Sequence, residues 1–506
     1  MNFMDKLNAI RACGGAVITR GLSDEIIRGF AERDESLLLA IENAFAAHAH
    51  LWTEYRQLME ADETEQIRTL NAGLVNFYAD DQVNPYVPLG ARGPWVVTSK
   101  GAVVHDNGGY GMLGFGHAPP HVLAAMAGHQ VMANVMTSSF SQHRFAQAMR
   151  REVGHRRGSC PYDRFVCLNS GSEAMSLAAR LSDINAKLAT EPGGQHAGKP
   201  IRQAAIRRSF HGRTDRPAQF SDSTRKAYLH HLATFRDRAP LLTVEPNDIA
   251  ALRELYARAA REGFFIEILL VEPVMGEGNP GLAMTRAWYD AAHALAREHG
   301  TLFVVDSIQA GLRAQGCLSI VDYPGFEGCA APDVESYSKA LNAGQYPLSV
   351  LALSARAASL YRKGVYGNTM TANPRALDVA CAVLEAVTPG LRANVRERGA
   401  ELLRRFDLLR QELDGRITQV QGTGLLLSVE LDPTYKCYGA GSTEEYMRVH
   451  GVGVIHGGDH SLRFTPHFGL TSAEIELIVE ATRDALLNGP HADRFDEEEE
   501  EEAIGI

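Results

Sequence analysis

The chain has 506 residues, of which 45% are hydrophobic, 22% charged and 8% aromatic, as in a globular protein of two or more domains. It contains no apolar stretch of membrane-spanning length, and its first residues, MNFMDKLNAIRACGG, lack the basic and apolar regions of a signal peptide. The formal net charge is −11, and the acidic run Asp496–Glu502 supplies much of it, so nothing predicts a nucleic-acid-binding surface.

Cysteine usage predicts the compartment. The cysteines are odd in number, scattered and never paired as CxxC, which argues against a disulfide framework or a zinc site. We therefore expect a reducing, cytoplasmic location. The seven are Cys13, Cys160, Cys167, Cys317, Cys329, Cys381 and Cys437.

The predicted elements change character along the chain. The first part is helical and charged, the next is glycine-rich, and the middle alternates short apolar runs (RFVCLN, FFIEILLVEP, TLFVVD) with helix-like segments. In one such segment Trp288, Ala292 and Leu295 follow helical spacing, which we interpret as core packing. Buried strands alternating with helices predict an α/β fold around a mostly parallel sheet.

These changes predict five regions. The first is a helical N-terminal extension, and the second is an N-terminal segment that joins a small domain. A large α/β domain, a smaller α/β C-terminal domain that contains strand-like VQGTGLLLSVEL and LRFTPHF, and a disordered acidic tail follow. Their bounds are 1–80, 81–130, 131–375, 376–490 and 491–506.

The loops that follow the apolar runs carry the candidate chemistry, because ligands bind at the carboxyl ends of parallel strands. After Leu168, the turn Asn169–Ser172 opens a helix, and free N–H groups at a helix start bind phosphate. Simple helix capping, with Ser172 as N-cap and Glu173 in the first turn, is an equally good interpretation.

Further loops offer a ring and charges. In FHGRT, Phe210 suits stacking on a flat cofactor and Arg213 suits a carboxylate, although a core phenylalanine and a surface arginine explain the pair in isolation. Asp306 ends a strongly apolar strand, where a buried carboxylate needs a cation such as a protonated pyridine, and Gln309 follows it. Lys339 adds an amine able to form a Schiff base. This combination is what pyridoxal 5'-phosphate (PLP) requires.

The chain resembles the class III aminotransferases. These are the ornithine, 4-aminobutyrate and acetylornithine aminotransferase group of the fold type I PLP enzymes. The resemblance runs from about residue 85 to about residue 485. Its motifs are GFGHAPPHV, LNSGSEAMSLAARL, FHGRT, VEPVMGEG, VVDSIQAGLRAQG, PDVESYSKALNAGQYPLS, NTMTANP and LRFTP.

The resemblance implies catalytic and ring-binding roles. Lys339 would hold PLP covalently and then act as acid and base, and Asp306 would keep the pyridine nitrogen protonated. Gln309 would contact the ring hydroxyl, Phe210 would stack on the ring, and His211 would be a further cofactor-binding residue.

It also implies how the phosphate is held. Ser170, Gly171 and Ser172 would bind the phosphate of their own subunit, and Thr369 would reach the phosphate of the neighbouring subunit. The enzyme would then be an obligate homodimer with shared active sites.

Substrate residues follow from the same resemblance. In the ornithine and 4-aminobutyrate enzymes a glutamate of the EPxxGE segment masks a C-terminal arginine while an ω-amino donor binds. Glu277 and Arg463 fill these positions, and Arg213 resembles the arginine that takes the distal carboxylate. The implied reaction moves an ω-amino group from an ornithine-, lysine- or 4-aminobutyrate-like donor to an oxo acid such as 2-oxoglutarate, by a ping-pong mechanism.

The sequence departs from the family at several positions. Ser307 stands where glutamate usually follows the aspartate, Gln421 replaces the arginine before the GxGL motif, and GLRAQG lacks the common ending. These changes leave the substrate open. Two other functions stay possible: a racemase or decarboxylase on the same scaffold, and a non-catalytic PLP-fold binding protein.

Overall fold

The computed structural model of the chain describes residues 1–109, 111–132, 135–236 and 238–490. The predicted acidic tail, 491–506, lies outside the described residues. Within the described part, no helix has the length and apolar character needed to cross a membrane.

Helices and strands alternate through most of the described chain. The helices are α1 Phe3–Arg11, α2 Asp24–Ala31, α3 Glu35–Glu54, α4 Arg56–Glu60, α5 Glu63–Asn71, α6 Pro120–Met126, α7 Phe140–Glu152, α8 Gly171–Thr190, α9 Asp215–Phe220, α10 Arg225–His231, α11 Ile249–Glu262, α12 Arg286–Glu298, α13 Ala355–Leu360, α14 Pro374–Ala386, α15 Pro389–Glu412, α16 Thr443–Val449 and α17 Ser472–Asn488. The strands are β1 Pro88–Arg92, β2 Trp95–Thr98, β3 Val103–Asp106, β4 Arg164–Leu168, β5 Ile201–Ile206, β6 Leu242–Val244, β7 Phe265–Val271, β8 Leu302–Asp306, β9 Val334–Tyr337, β10 Ser349–Leu353, β11 Ile417–Thr423, β12 Leu426–Leu431, β13 Val452–Gly453, β14 Ile455–Gly457 and β15 Ser461–Phe464.

The central sheet has seven strands in the order β4-β10-β9-β8-β7-β5-β6. Only β10 runs against its neighbours, so the sheet is mostly parallel, as predicted. Every residue of β7 and of β8 is buried, because helices cover both faces of a parallel sheet. The predicted core stripe of α12 is confirmed: Trp288 and Ala292 are fully buried and Leu295 packs against the core.

The C-terminal part departs from the sequence prediction in one detail. VQGTGLLLSVEL forms the hairpin β11–β12 rather than one strand, because Gly424 reverses the chain with φ of 58°. A Cβ at Gly424 would lie 2.0 Å from the carbonyl oxygen of Ala314, so this turn also packs tightly against the large domain. The hairpin continues into a four-stranded sheet of order β11-β12-β15-β14.

The N-terminal helices pack on a separate small sheet of order β1-β2-β3-β13. Trp95 of β2 is fully buried, contacts the Phe30 ring at 4.9 Å and donates from its indole N–H to Asp34 at 2.5 Å. Lys100 Nζ donates to the carbonyl oxygens of Gly14 and Ala61, among others. The first 71 residues are therefore part of this core.

The small sheet connects distant parts of the chain. Strand β13 pairs in parallel with β3, matching Val452 with His105, so the segment after residue 81 lies beside the C-terminal region. The domain bounds given above stay a prediction.

Candidate active site

All the predicted cofactor residues except Thr369 meet in one cavity of about 430 Å³ at the carboxyl ends of β4, β8 and β9. These strands deliver their following loops to the same edge because they run in the same direction. The cavity is lined by Met112, Asn169, Ser170, Gly171, Ser172, Phe210, His211, Gly212, Glu272, Asp306, Ile308, Gln309, Ser338, Lys339, Asn342, Gly344, Gln345, Tyr346 and Pro347.

Asp306 is the last residue of β8 and is 5% exposed. Its Oδ1 accepts from the Ser336 hydroxyl at 2.9 Å and from the Ile308 N–H at 3.1 Å, and its Oδ2 lies 2.9 Å from His211 Nδ1. Three donors offset the cost of burying this carboxylate and fix its direction. His211 thus contacts Asp306 directly.

Lys339 begins a short 3-10 helix, Lys339–Asn342, directly after β9. Its φ is 35°, a value that few residues other than glycine adopt and that is often found at functional sites. Burial, aided by the nearby positive charge of Arg463, lowers the pKa of Lys339 to about 8, while Glu277 and Asp306 oppose this shift. About a fifth of this amine is therefore neutral at pH 7.4, against about a thousandth of an ordinary lysine.

The turn after β4 differs from the predicted cap. Helix α8 begins at Gly171, and its N-cap is Ser170, whose Oγ accepts from the Glu173 N–H; the expected cap at Ser172 is wrong. Ser172 already lies in the first turn, because the chain turns into the helix two residues earlier. Gly171 lets the helix start approach β8 closely, since an added Cβ would lie 2.8 Å from Ile308.

Two other predicted residues line the cavity from different loops. Phe210 is partly buried, and Gln309 packs so closely on Gly276 that a Cβ there would lie 2.3 Å from its Cγ. The loops after β7 and β8 are thus in direct contact.

Glu272 is a cavity residue that the sequence interpretation missed. It is buried and accepts from the backbone N–H groups of Phe210 at 3.1 Å and Gly276 at 2.9 Å. Burial, with the nearby charge of Asp306, raises the pKa of Glu272 to about 8. The sequence did carry a signal: Glu272 directly follows the apolar run Ile268–Val271, much as Asp306 follows the apolar run Leu302–Val305.

The proposed substrate residues lie beside the cavity, in a pairing different from the expected one. Glu277 lies 3.8 Å from the Arg213 guanidinium, whereas buried Arg463 donates to the Gly276 carbonyl oxygen at 2.6 Å. Among the described residues, no Glu277–Arg463 ion pair forms. Arg463 Nη1 is instead engaged by the Gly276 carbonyl oxygen, and Glu277 Oε1 faces Arg213.

Thr369 is exposed and does not line the cavity of its own chain. Its loop is fastened to helix α8, because Tyr366 and Asn368 both donate to Glu173, at 2.6 and 2.7 Å. The structure therefore does not bring Thr369 to Lys339 within one subunit.

Comparison with known proteins decides the family. The family model for class III aminotransferases matches residues 77–486. This chain belongs to the class III aminotransferases. The aminotransferase is 29% identical over 402 residues to the acetylornithine aminotransferase of Neisseria meningitidis, covering 77% of this chain and 92% of that protein. It is 26% identical over 404 residues to the ornithine aminotransferase of Saccharomyces cerevisiae, covering 76% and 90%.

Solved structures share the fold. The ornithine aminotransferase of Toxoplasma gondii superposes with a TM-score of 0.71 at 23% identity, covering 86% of this chain and 97% of that chain. The acetylornithine aminotransferase of Elizabethkingia anophelis gives 0.67 at 22% identity, covering 84% and 99%. The fold is thus that of the fold type I PLP aminotransferases.

Class III aminotransferases use PLP, and the cavity residues of this aminotransferase fit it. The start of α8, with Ser170 and Ser172, suits the phosphate. The buried Asp306 carboxylate, held by three hydrogen-bond partners, suits a pyridinium nitrogen. Lys339 supplies a partly neutral amine in the same cavity. Each part of the cofactor therefore has a chemically matched residue.

Proposed function

We propose that this aminotransferase moves the ω-amino group of an ornithine-, lysine- or 4-aminobutyrate-like donor to an oxo acid such as 2-oxoglutarate, in two ping-pong half-reactions. The observation that carries the proposal is the union, in one cavity, of a low-pKa lysine, a buried aspartate and a helix start, with two arginines beside it.

The residues divide the work as follows. Ser170, Gly171 and Ser172 would hold the phosphate of PLP at the start of α8. Asp306 would orient the pyridine ring and keep its nitrogen protonated. When bound, PLP supplies an electron sink that stabilises negative charge at the donor carbon. Lys339 Nζ would accept the proton that leaves this carbon and pass it to the C4' carbon of the cofactor, and would move it in the opposite direction in the second half-reaction.

The arginines favour substrates with carboxylates. Arg213 is 33% exposed and Glu277 is 27% exposed, so a substrate carboxylate can reach the pair and compete with Glu277. Arg463 is buried, and its positive charge helps to lower the pKa of Lys339. This position near the reactive amine suits Arg463 to bind the carboxylate nearer the reacting carbon of a dicarboxylate acceptor. An ω-amino donor then needs only one of the two arginines.

We further propose a cytoplasmic homodimer. Thr369 is exposed away from its own cavity, and several large apolar side chains on neighbouring sequence segments are more than half exposed, as expected of a surface that a second subunit covers. These are Val131, Met132, Val135, Met136, Phe140 and Met370. The cytoplasmic location is supported by the seven cysteines, each of which is free.

A donor panel tests the proposed activity. PLP-loaded enzyme is incubated with 2-oxoglutarate and ornithine, N-acetylornithine, lysine or 4-aminobutyrate, and glutamate is quantified. We expect glutamate from at least one ω-amino donor and none with Lys339→Ala. No glutamate from any of these four donors would contradict the ω-amino proposal.

A further inference from the structure

The segment 72–79, between α5 and β1, leaves large apolar side chains in solvent. Leu74 is 82% exposed, Val75 is 100% exposed and Phe77 is 63% exposed. Phe77 contacts another part of the fold: its ring centroid lies 5.6 Å from the guanidinium carbon of Arg213. This contact brings the N-terminal region to the edge of the active site.

Arg213 contacts a second ring as well. Its guanidinium carbon lies 5.4 Å from the ring of Phe210, which lines the cofactor cavity. A planar guanidinium attracts aromatic rings to its faces, and this leaves its N–H donors pointing outward at the edge. Two rings therefore hold the plane of Arg213 without using its hydrogen bonds.

The donors of Arg213 have no protein acceptor at hydrogen-bonding distance among the described residues. The nearest carboxylate oxygen, Glu277 Oε1, lies 3.8 Å away, which is too long for a hydrogen bond. Arg213 is two-thirds covered, lies near two aromatic rings and keeps its N–H donors unused by the described residues, so it is suited to a bidentate carboxylate.

We propose that Phe77 is a positioning residue for donor specificity: its ring orients Arg213 for the distal carboxylate of the amino donor. This inference rests on the proposed function, in which Arg213 binds that carboxylate. It adds that residues outside the PLP-binding domain, in the segment after α5, help to choose the substrate.

Matched pairs of amines test the inference. 4-Aminobutyrate is compared with butylamine and 5-aminopentanoate with pentylamine, since each pair differs only by a methyl group in place of the carboxylate. For Phe77→Ala we expect KM for the carboxylate donors to rise about two- to five-fold, the size of one cation–π contact. KM for the plain amines, and kcat for all donors, should change by less than that.

Two variants control the experiment. Phe77→Tyr keeps the ring and should restore the wild-type KM, whereas Leu74→Ala removes an exposed side chain of the same segment and should change nothing. Equal KM changes for both members of a pair, no change with Phe77→Ala, or no rescue by Phe77→Tyr would each overturn the inference. So would a wild-type enzyme that does not prefer the carboxylate member of either pair.

The two failures are distinguishable. A wild-type enzyme that yields no glutamate from any donor of the panel refutes the proposed function itself, and the inference falls with it. An active wild-type enzyme whose carboxylate preference is unchanged in Phe77→Ala refutes only the role of Phe77.

Discussion

At Lys339 the fold changes the chemistry of an ordinary side chain. A free lysine has a pKa near 10.5, whereas burial and the neighbouring Arg463 lower the pKa of Lys339 to about 8. Because the neutral amine is the nucleophile and the base, the fraction ready to react rises as pH increases through this value. An unperturbed lysine side chain stays protonated at this pH.

This shift predicts a pH profile for labelling. In cofactor-free protein, reductive methylation of Lys339 should increase with pH with a midpoint near 8, while a solvent-exposed lysine should show a midpoint above 10. Peptide mass spectrometry after short exposures measures both. A midpoint at Lys339 equal to that of Lys226 would contradict the shift.

Ser307 shows how a departure from the family pattern is absorbed. Its hydroxyl donates to the buried carboxylate of Glu335 at 2.6 Å, and Glu335 also accepts from the hydroxyls of Tyr162, Ser319 and Tyr337. A carboxylate therefore does lie beneath the site, but the adjacent strand β9 supplies it. The sequence alone did not reveal this, since it depends on the register that pairs Asp306 with Ser336.

At the scale of elements, sequence patterns located strands β4, β7 and β8 of the central sheet and the loops after them. Apolar runs such as β7 and β8 are unambiguous because both faces of a parallel sheet are buried. The cap at Ser170 and the role of Glu272 were missed, since both depend on how separate loops meet in space. The packing partner of the N-terminal helices could not be predicted either, because helical periodicity identifies an apolar face but not the element on which that face packs.

The docking of helix α3 on strand β1 predicts a stability change. At Gly90 an added Cβ would lie 2.4 Å from the backbone nitrogen of Ala44, so Gly90→Ala should lower the free energy of unfolding by about 1–3 kcal/mol. Gly73→Ala is the control, because nothing lies within 4 Å of its Cβ position. Urea unfolding measures both, and equal stabilities would contradict tight docking.

At the scale of the whole molecule, the proposed cofactor site includes Thr369, which its own chain does not bring to the cavity. Glu173 holds the loop 366–368 against the start of α8, and Thr369 follows this loop at the surface. In the proposed dimer the same helix start would bind one phosphate and fasten the loop that reaches the other. Cofactor binding at the two sites would then be mechanically connected.

Subunit mixing tests this sharing. Lys339→Ala and Thr369→Asp homodimers should each be impaired, the latter because a carboxylate repels the phosphate. If Thr369 acts across the interface, a hybrid dimer has one site with both changes and one intact site, and activity returns. Hybrids that stay as inactive as the parents would show that Thr369 acts within its own subunit.

The central claim is amino-group transfer at Lys339, and a single-turnover measurement tests it most directly. PLP-loaded enzyme is mixed with an excess of the best donor and no oxo acid, and the carbonyl product is quantified. We predict one equivalent of aldehyde or keto product per site, then one equivalent of glutamate when 2-oxoglutarate is added, and neither with Lys339→Ala. Continued turnover without an oxo acid, as in a racemase or decarboxylase, or the absence of any carbonyl product, would contradict the account.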